Sequence, residues 1–268
     1  MSARGTLNVL VTGGSGPSGI ATARALRDAG HRVFTVGSEA ARIEAAAAEA
    51  GSGVTPLVCD LTSLGGVRAL RETVTGMAGT VDGVIHLVGG WRGAKGITDQ
   101  SDDDWDFLER NAVTTLRNVT RVFFDDLAAS DTGRFAMVSS TAVSAPTAGG
   151  ASYAAAKAAA EAWTLAVADG FRRARAATAG PGPTDDGTAE KTAQKTAQNA
   201  GPTEAEAELH SAAVIFVVKA LVDPAMRAKA PERTFPGFTD VADLAAAAVG
   251  LFSTPAGELN GRRLPLGR

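Results

Sequence analysis

Cysteine occurs once and tyrosine once in the 268 residues, and histidine three times. A single cysteine, Cys59, excludes an internal disulfide framework and fits a reducing compartment, so a cytoplasmic location is expected. His31, His86 and His210 are scattered, which leaves a zinc site little to build on; no metal is expected. Long apolar runs are lacking too. The longest, Ala212 to Val222, is broken by Lys219 and falls far short of the roughly 20 residues a membrane span needs. A strand-like segment starts by about Leu7, leaving no room for a signal sequence before it. An excess of charge of one sign is also missing: the net charge is −3, which gives no electrostatic case for binding nucleic acid or an anionic membrane. What is present is ordinary: 45% hydrophobic and 21% charged residues, the balance of a soluble globular protein.

The pattern along the chain alternates strand and helix. LNVLVT (Leu7 to Thr12) is short, apolar and β-branched, as a buried parallel strand should be. A glycine-rich turn and the helical ATARALRDAG follow, with Gly30 placed as a C-cap. HRVFTV, TPLVCDL, VDGVIHLV and RFAMVS read as further strands. EAARIEAAAAEAG, SLGGVRALRETVTGM, Asp102 to Leu127 and Ser152 to Phe171 read as helices. This alternation predicts an α/β fold, a single Rossmann-like doubly wound parallel sheet of about seven strands with helices on both faces. The whole chain, 1–268, reads as one domain. From Arg172 to about Ala212 almost no large apolar residue occurs before the strand-like AVIFVV, so 172–212 reads as an exposed low-complexity insertion. VADLAAAAVGLF (241–252) then predicts a helix and GRRLPL a closing strand.

Two motifs carry chemistry. Thr12-Gly-Gly-Ser-Gly-Pro-Ser-Gly-Ile20 lies between a strand and a helix, where glycines let the backbone approach a pyrophosphate and the helix N-terminus offers free N–H groups. The second is Tyr153-Ala-Ala-Ala-Lys157, with Ser140 thirteen residues earlier. Lysine occupies only about 2% of positions, so its place one turn after the sole tyrosine is unlikely by chance. Residues four apart share a helix face, and the ammonium is expected to depress the phenol pKa towards neutrality, as a general acid or base requires. Ser140, at a strand end, is placed to hydrogen-bond a carbonyl oxygen.

With these residues the chain resembles the short-chain dehydrogenase/reductase family, as a divergent member, over nearly its whole length. The resemblance implies a cofactor cradle at Gly13, Ser15, Gly16, Ser18, Gly19 and Ile20, an adenine contact at Asp60 and Leu61, and contacts at Val88 and Gly89. It implies a catalytic set of Asn111, Ser140, Tyr153 and Lys157, with Tyr153 and Lys157 also touching cofactor and Asn111 holding a water that links Lys157 to solvent. Two departures stand out: Pro17 replaces a glycine of the family turn, and His86-Leu87-Val88-Gly89 replaces Asn-Asn-Ala-Gly. Proline suits the first position of a helix, so a reshaped cradle is expected. His86 reads as a satisfied core histidine rather than a catalytic one.

No acid ends the second strand, where NAD-preferring members carry one. Ser38 and Arg42 are candidate partners for a 2′-phosphate, which favours NADP(H) over NAD(H), although Glu39 lies between them. The sixth strand has two placements, AVIFVV or RARAATA, and the poor β-propensity of the second favours the first. The substrate loops, Gly90–Gly96, Thr141–Gly150 and Lys219–Gly237, carry Trp91, Pro146, Met226 and Phe235 and suggest a mainly apolar ligand. The expected function is hydride transfer between nicotinamide and a carbonyl or secondary alcohol of a small molecule. The alternatives are non-redox acid/base chemistry (isomerase, dehydratase or lyase type) and a nucleotide-binding regulatory module. Val113, Leu116, Val119, Phe123, Trp163, Leu165 and Val167, on two outward helices, together with the resemblance, predict a homodimer or homotetramer.

Overall fold

Each central strand places successive side chains on opposite faces of one sheet, and both faces are apolar. Val9 and Val11 of β1 (Asn8–Thr12) join one core and Leu10 the other, the period-2 consequence of a strand buried on both sides. The computed structural model describes residues 5–179 and 209–267. Its main sheet has seven strands in the order β3-β2-β1-β4-β5-β6-β9, all parallel. They are β1, β2 (Arg32–Gly37), β3 (Val54–Val58), β4 (Gly83–His86), β5 (Arg134–Ser140), β6 (Ala212–Val218) and β9 (Arg263–Pro265). A two-stranded ribbon, β7 (Leu221–Val222) and β8 (Thr239–Asp240), lies after β6.

On one face pack α3 (Leu64–Ala78), α5 (Thr115–Ala129) and α6 (Ala151–Ala179), which bury Val67, Phe123 and Phe171 with Leu10, Phe34 and Phe135. On the other pack α1 (Pro17–Asp28), α2 (Ala40–Ala50), α8 (Val241–Gly250) and α9 (Ala256–Leu259), which bury Leu26, Ala47 and Leu244 with Val33, Ile85 and Phe216. The short α7 (Pro224–Lys229) follows the ribbon. The chain leaves β1 towards β2 and β3, then crosses back to β4 on the other flank of β1. That reversal opens a crevice at the carboxyl ends of β1 and β4, where doubly wound folds bind ligands.

Three expectations need correction. The helix expected unbroken from Asp102 to Leu127 is α4 (Asp102–Glu109), a π-helical turn at Arg110–Thr114, then α5. Side chains have entered the ladder: Asn111 Nδ2 donates to Phe107 O at 2.8 Å, and Thr115 Oγ1 to Asn111 O at 2.7 Å, a recognised cause of helix widening. Second, RARAATA is the last part of α6 and AVIFVV is β6, so the segment expected as insertion from Arg172 is helical as far as Ala179. Residues 180–208 of it lie outside the described residues. Third, Leu116, Val119, Phe123 and Val167 do not face outward: all four are buried in the core against the sheet. Among the described residues no helix is long and apolar enough to cross a membrane, and no three His, Cys, Asp or Glu side chains cluster as a metal site.

Candidate active site

The turn between β1 and α1 has no room for side chains at two positions. Gly13 has φ +74°, and a Cβ there would lie 2.8 Å from the Leu87 carbonyl carbon; a Cβ on Gly19 would lie 2.5 Å from Gly13 O. Only glycine permits both the left-handed backbone and the close approach. Gly16 caps α1 without a side-chain acceptor, and Pro17 occupies the first turn. Proline removes one N–H but keeps the helical φ, so the helix N-terminus retains the first-turn donors of Ser18 and Gly19 and its partial positive charge.

This turn is one wall of an elongated cleft of about 520 Å³. Gly13, Ser15, Gly16 and Ser18 line it at the turn, Ser38, Glu39 and Arg42 beyond β2, Asp60 and Leu61 beyond β3, and Val88 and Gly89 beyond β4. Of the expected cofactor residues in these loops, Gly19 and Ile20 do not reach it. Gly19 acts beneath it by its contact with Gly13, and Ile20 packs against the core. Arg42 Nη1 lies 3.3 Å from Glu39 Oε1, with both side chains exposed. Asp60 accepts hydrogen bonds from Thr62 Oγ1 (2.7 Å) and Thr62 N (2.9 Å), which hold its carboxyl below the usual range. A glycine-walled helix N-terminus, hydroxyls along the floor, and a basic and an acidic group at the far side suit a dinucleotide.

Beneath this cleft lie two buried polar residues that brace the loops. Thr115 spends its hydroxyl proton on Asn111 O, so it must accept at His86 Nε2 (3.2 Å). That makes Nε2 the protonated nitrogen of a neutral His86, and leaves Nδ1 to accept from Thr12 Oγ1 at 2.8 Å. Burial, and secondarily the Lys157 charge, push the His86 pKa down to about 3. His86 is thus a satisfied core residue joining β1, β4 and the start of α5. Asn118 donates to Leu61 O (3.0 Å) and Thr62 O (2.9 Å) and fixes the loop after β3. The sequence reading missed it; the available signal was an amide on the otherwise apolar inner face of a helix.

The second cleft, of about 850 Å³, shares Ser18, Leu87, Val88 and Gly89 with the first and holds Ser140, Tyr153 and Lys157. β5 delivers Ser140 at its end and α6 delivers Tyr153 and Lys157 one turn apart. The structure departs here from the expected electrostatics. Lys157 Nζ donates to Val138 O at 2.8 Å, turned to the strand, and its pKa falls to about 8 because burial outweighs the favourable Glu161 charge. Burial pushes the Tyr153 phenol up rather than down, with only the Ser140 hydrogen bond opposing. Helical spacing gave the shared face; the depth of the site decided the pKa values. Asn111 lines the cofactor cleft, with its side-chain amide donating to Phe107 O.

Trp91, Ala94, Ala142, Ala145, Val218, Ala220 and Leu221 give the catalytic cleft its largely apolar lining. Pro146, Met226 and Phe235, expected there, are not part of it. Phe235 is buried, with the Arg233 guanidinium 4.7 Å from its ring centroid, and Met226 is exposed on α7.

Residues 7–198 match the short chain dehydrogenase family, so the chain belongs to that family. As a member of a dehydrogenase family it is an oxidoreductase acting on CH–OH or C=O groups. No curated protein matches the chain in sequence. Among solved structures it is similar to a 3-ketoacyl-(acyl-carrier-protein) reductase from Brucella melitensis complexed with NADH, at 20% identity and TM-score 0.75 over 99% of this chain and 98% of that one. RhlG of Pseudomonas aeruginosa with NADP is 19% identical, at TM-score 0.75 over 99% and 96%. An NAD+-bound xylitol dehydrogenase is 18% identical, at TM-score 0.74 over 97% of each chain. At these identities the likeness is one of fold.

Proposed function

We propose that the enzyme moves hydride between NADP(H) and a carbonyl or secondary alcohol of a small, mainly apolar molecule, with Tyr153 as general acid/base. The supporting observation is the convergence of Ser140, Tyr153 and Lys157 in one apolar cleft that opens into the cradle at Ser18 and Gly89. The nicotinamide supplies or takes up the hydride. In reduction, Ser140 orients the carbonyl oxygen by a hydrogen bond and Tyr153 donates its proton to that oxygen as the carbon accepts hydride. A phenol pushed up by burial is protonated at neutral pH, the form an acid needs. Lys157, one helical turn further on in the same cleft, supplies the positive charge that stabilises the phenolate left behind. Cradle contacts fall to Gly13, Ser15, Gly16, Ser18, Asp60, Leu61, Val88 and Gly89, with Ser38 and Arg42 taking the 2′-phosphate once Arg42 releases Glu39. The exposure of that ion pair makes the exchange inexpensive. The enzyme works in the cytoplasm as a homodimer or homotetramer.

Fluorescence titration with NADPH and NADH, followed by a panel of neutral ketones, tests this reading. Micromolar binding with NADPH the tighter, and NADPH consumption with a ketone, are expected. Tyr153→Phe should lower turnover about a hundredfold or more and leave cofactor affinity intact. Absence of binding up to millimolar cofactor, or wild-type turnover by the variant, overturns it.

A further inference from the structure

Glu161 is a buried carboxylate one helical turn beyond Lys157, and the chemistry above does not use it. Its Oε1 accepts from Ser139 Oγ at 2.5 Å and from Arg263 Nη2 at 3.2 Å, and its Oε2 lies 2.9 Å from Arg263 Nε. Arg263 belongs to β9, the last strand, and its Nη1 and Nη2 also reach Ser144 Oγ at 3.4 and 3.3 Å. One carboxylate therefore ties together the residue before Ser140, the helix that carries Tyr153 and Lys157, the Thr141–Gly150 loop and the final strand.

We propose that Glu161, clamped by Arg263, is a positioning residue that locks the Ser139–Ser140 strand end onto α6 and supplies the negative charge that Lys157 faces. A buried carboxylate is costly unless paired and hydrogen-bonded, and a fold seeking only stability is served as well by an apolar side chain at this point. Here the cost is met one helical turn beyond Lys157: Glu161 accepts from Ser139 Oγ while Lys157 Nζ donates to the carbonyl of the preceding residue, Val138, so both side chains meet adjacent residues of β5. The groups around Lys157 fit this assignment. His86 from β4 is neutral, Tyr153 from α6 is a neutral phenol, Val138 of β5 offers a carbonyl, and Arg263 of β9 stands behind Glu161. Glu161 is the charge that favours the ammonium against burial. Without it, Lys157 loses its proton at lower pH and the phenolate loses its counter-charge in the alkaline range.

The inference rests on the proposed hydride-transfer reading for what Lys157 does, but its test does not need turnover. Lysine side-chain NMR on the full chain, with Lys157→Met for assignment, reads the Lys157 titration directly. Glu161→Gln keeps the shape and a partner for Ser139, and should move the midpoint down by about 1 pH unit. Arg263→Met removes the opposite charge and should not move it down. If a ketone substrate is found, the alkaline limb of kcat/KM should follow the NMR midpoint in Glu161→Gln, with KM for NADPH unchanged, and Glu161→Asp should restore it. An unchanged Lys157 midpoint in Glu161→Gln, or equal downward shifts in both variants, overturns the proposal. Should Glu161→Gln not fold, a downward shift in Arg263→Met alone overturns it. Failure of every ketone with the NMR shift intact would instead count against the hydride-transfer reading alone.

Discussion

At the scale of single residues, burial outranks sequence spacing. Tyr153 and Lys157 are four apart, and that spacing alone invites the inference of a phenol acidified by its neighbour. In the fold Lys157 is buried and Tyr153 half-buried, and desolvation lowers the first pKa and raises the second. His86 shows the same effect with a measurable consequence. Its folded pKa lies near 3, below the ordinary 6.5. Between those values an unfolded chain binds a proton that the native protein refuses. Stability is therefore complete above about pH 6.5 and declines as pH falls, with a slope approaching 1.4 kcal/mol per pH unit from this group. Urea midpoints at pH 7.5 and 5.5 should show the loss, and His86→Gln, which cannot titrate, should flatten it. An equal fall in the variant would place the acid sensitivity elsewhere. Cys59 behaves in parallel: burial, aided by Asp60, raises its thiol to about 11, so it should alkylate far more slowly at pH 8 than an exposed cysteine.

At the scale of elements, the strands were legible and the helix interruptions were not. β1, β2, β4 and β6 are short apolar runs rich in β-branched residues, and β5 carries the apolar run Phe135 to Val138, the pattern of strands covered on both faces. The break at Arg110–Thr114 depends on where the side chains of Asn111 and Thr115 turn, which periodicity does not encode. Nor does it encode the extension of α6 through RARAATA, whose alanines and arginines suit a helix emerging from the core. Arg134 was hidden for a similar reason. It opens β5, is 4% exposed, and donates to the carbonyls of Leu251, Gly133, His210 and Thr254. It binds the start of β5 to the end of α8 and to the chain entering β6. Arg134→Met keeps the aliphatic stem but leaves buried acceptors unpaired. We expect a loss of about 3 kcal/mol in urea unfolding, with the cofactor affinity of the remaining folded protein unchanged. A loss below about 0.5 kcal/mol would mean that water replaces the guanidinium at these carbonyls.

At the scale of the molecule, the sequence conveyed the class of fold and the place of the site, because both follow from the alternation of elements and from the glycine turn. It conveyed less about the outer surface, because one apolar face of a helix can meet a sheet or another subunit. Leu116, Val119 and Phe123 turned out to meet the sheet. What remains on the outer side of α5 and α6 is smaller: Phe124, Trp163 and Ala166 around a shallow apolar hollow, and Leu165 at 42% exposed. Arg117 and Arg121 flank it, with the Arg117 guanidinium 5.4 Å from the Trp163 ring centroid. The apolar driving force for self-association is thus centred on a few side chains rather than spread along both helices. A dimer or tetramer built there should be weakened sharply by one charge at its centre, since a buried unpaired charge outweighs the burial of several methylenes. Equilibrium sedimentation at micromolar concentration should give a multiple of the 27.1 kDa chain mass, and Ala166→Glu, at an exposed position lining the hollow, should return it to the single-chain value while NADPH still binds. A wild-type mass equal to one chain would show that the arginines flanking the hollow keep this face in water.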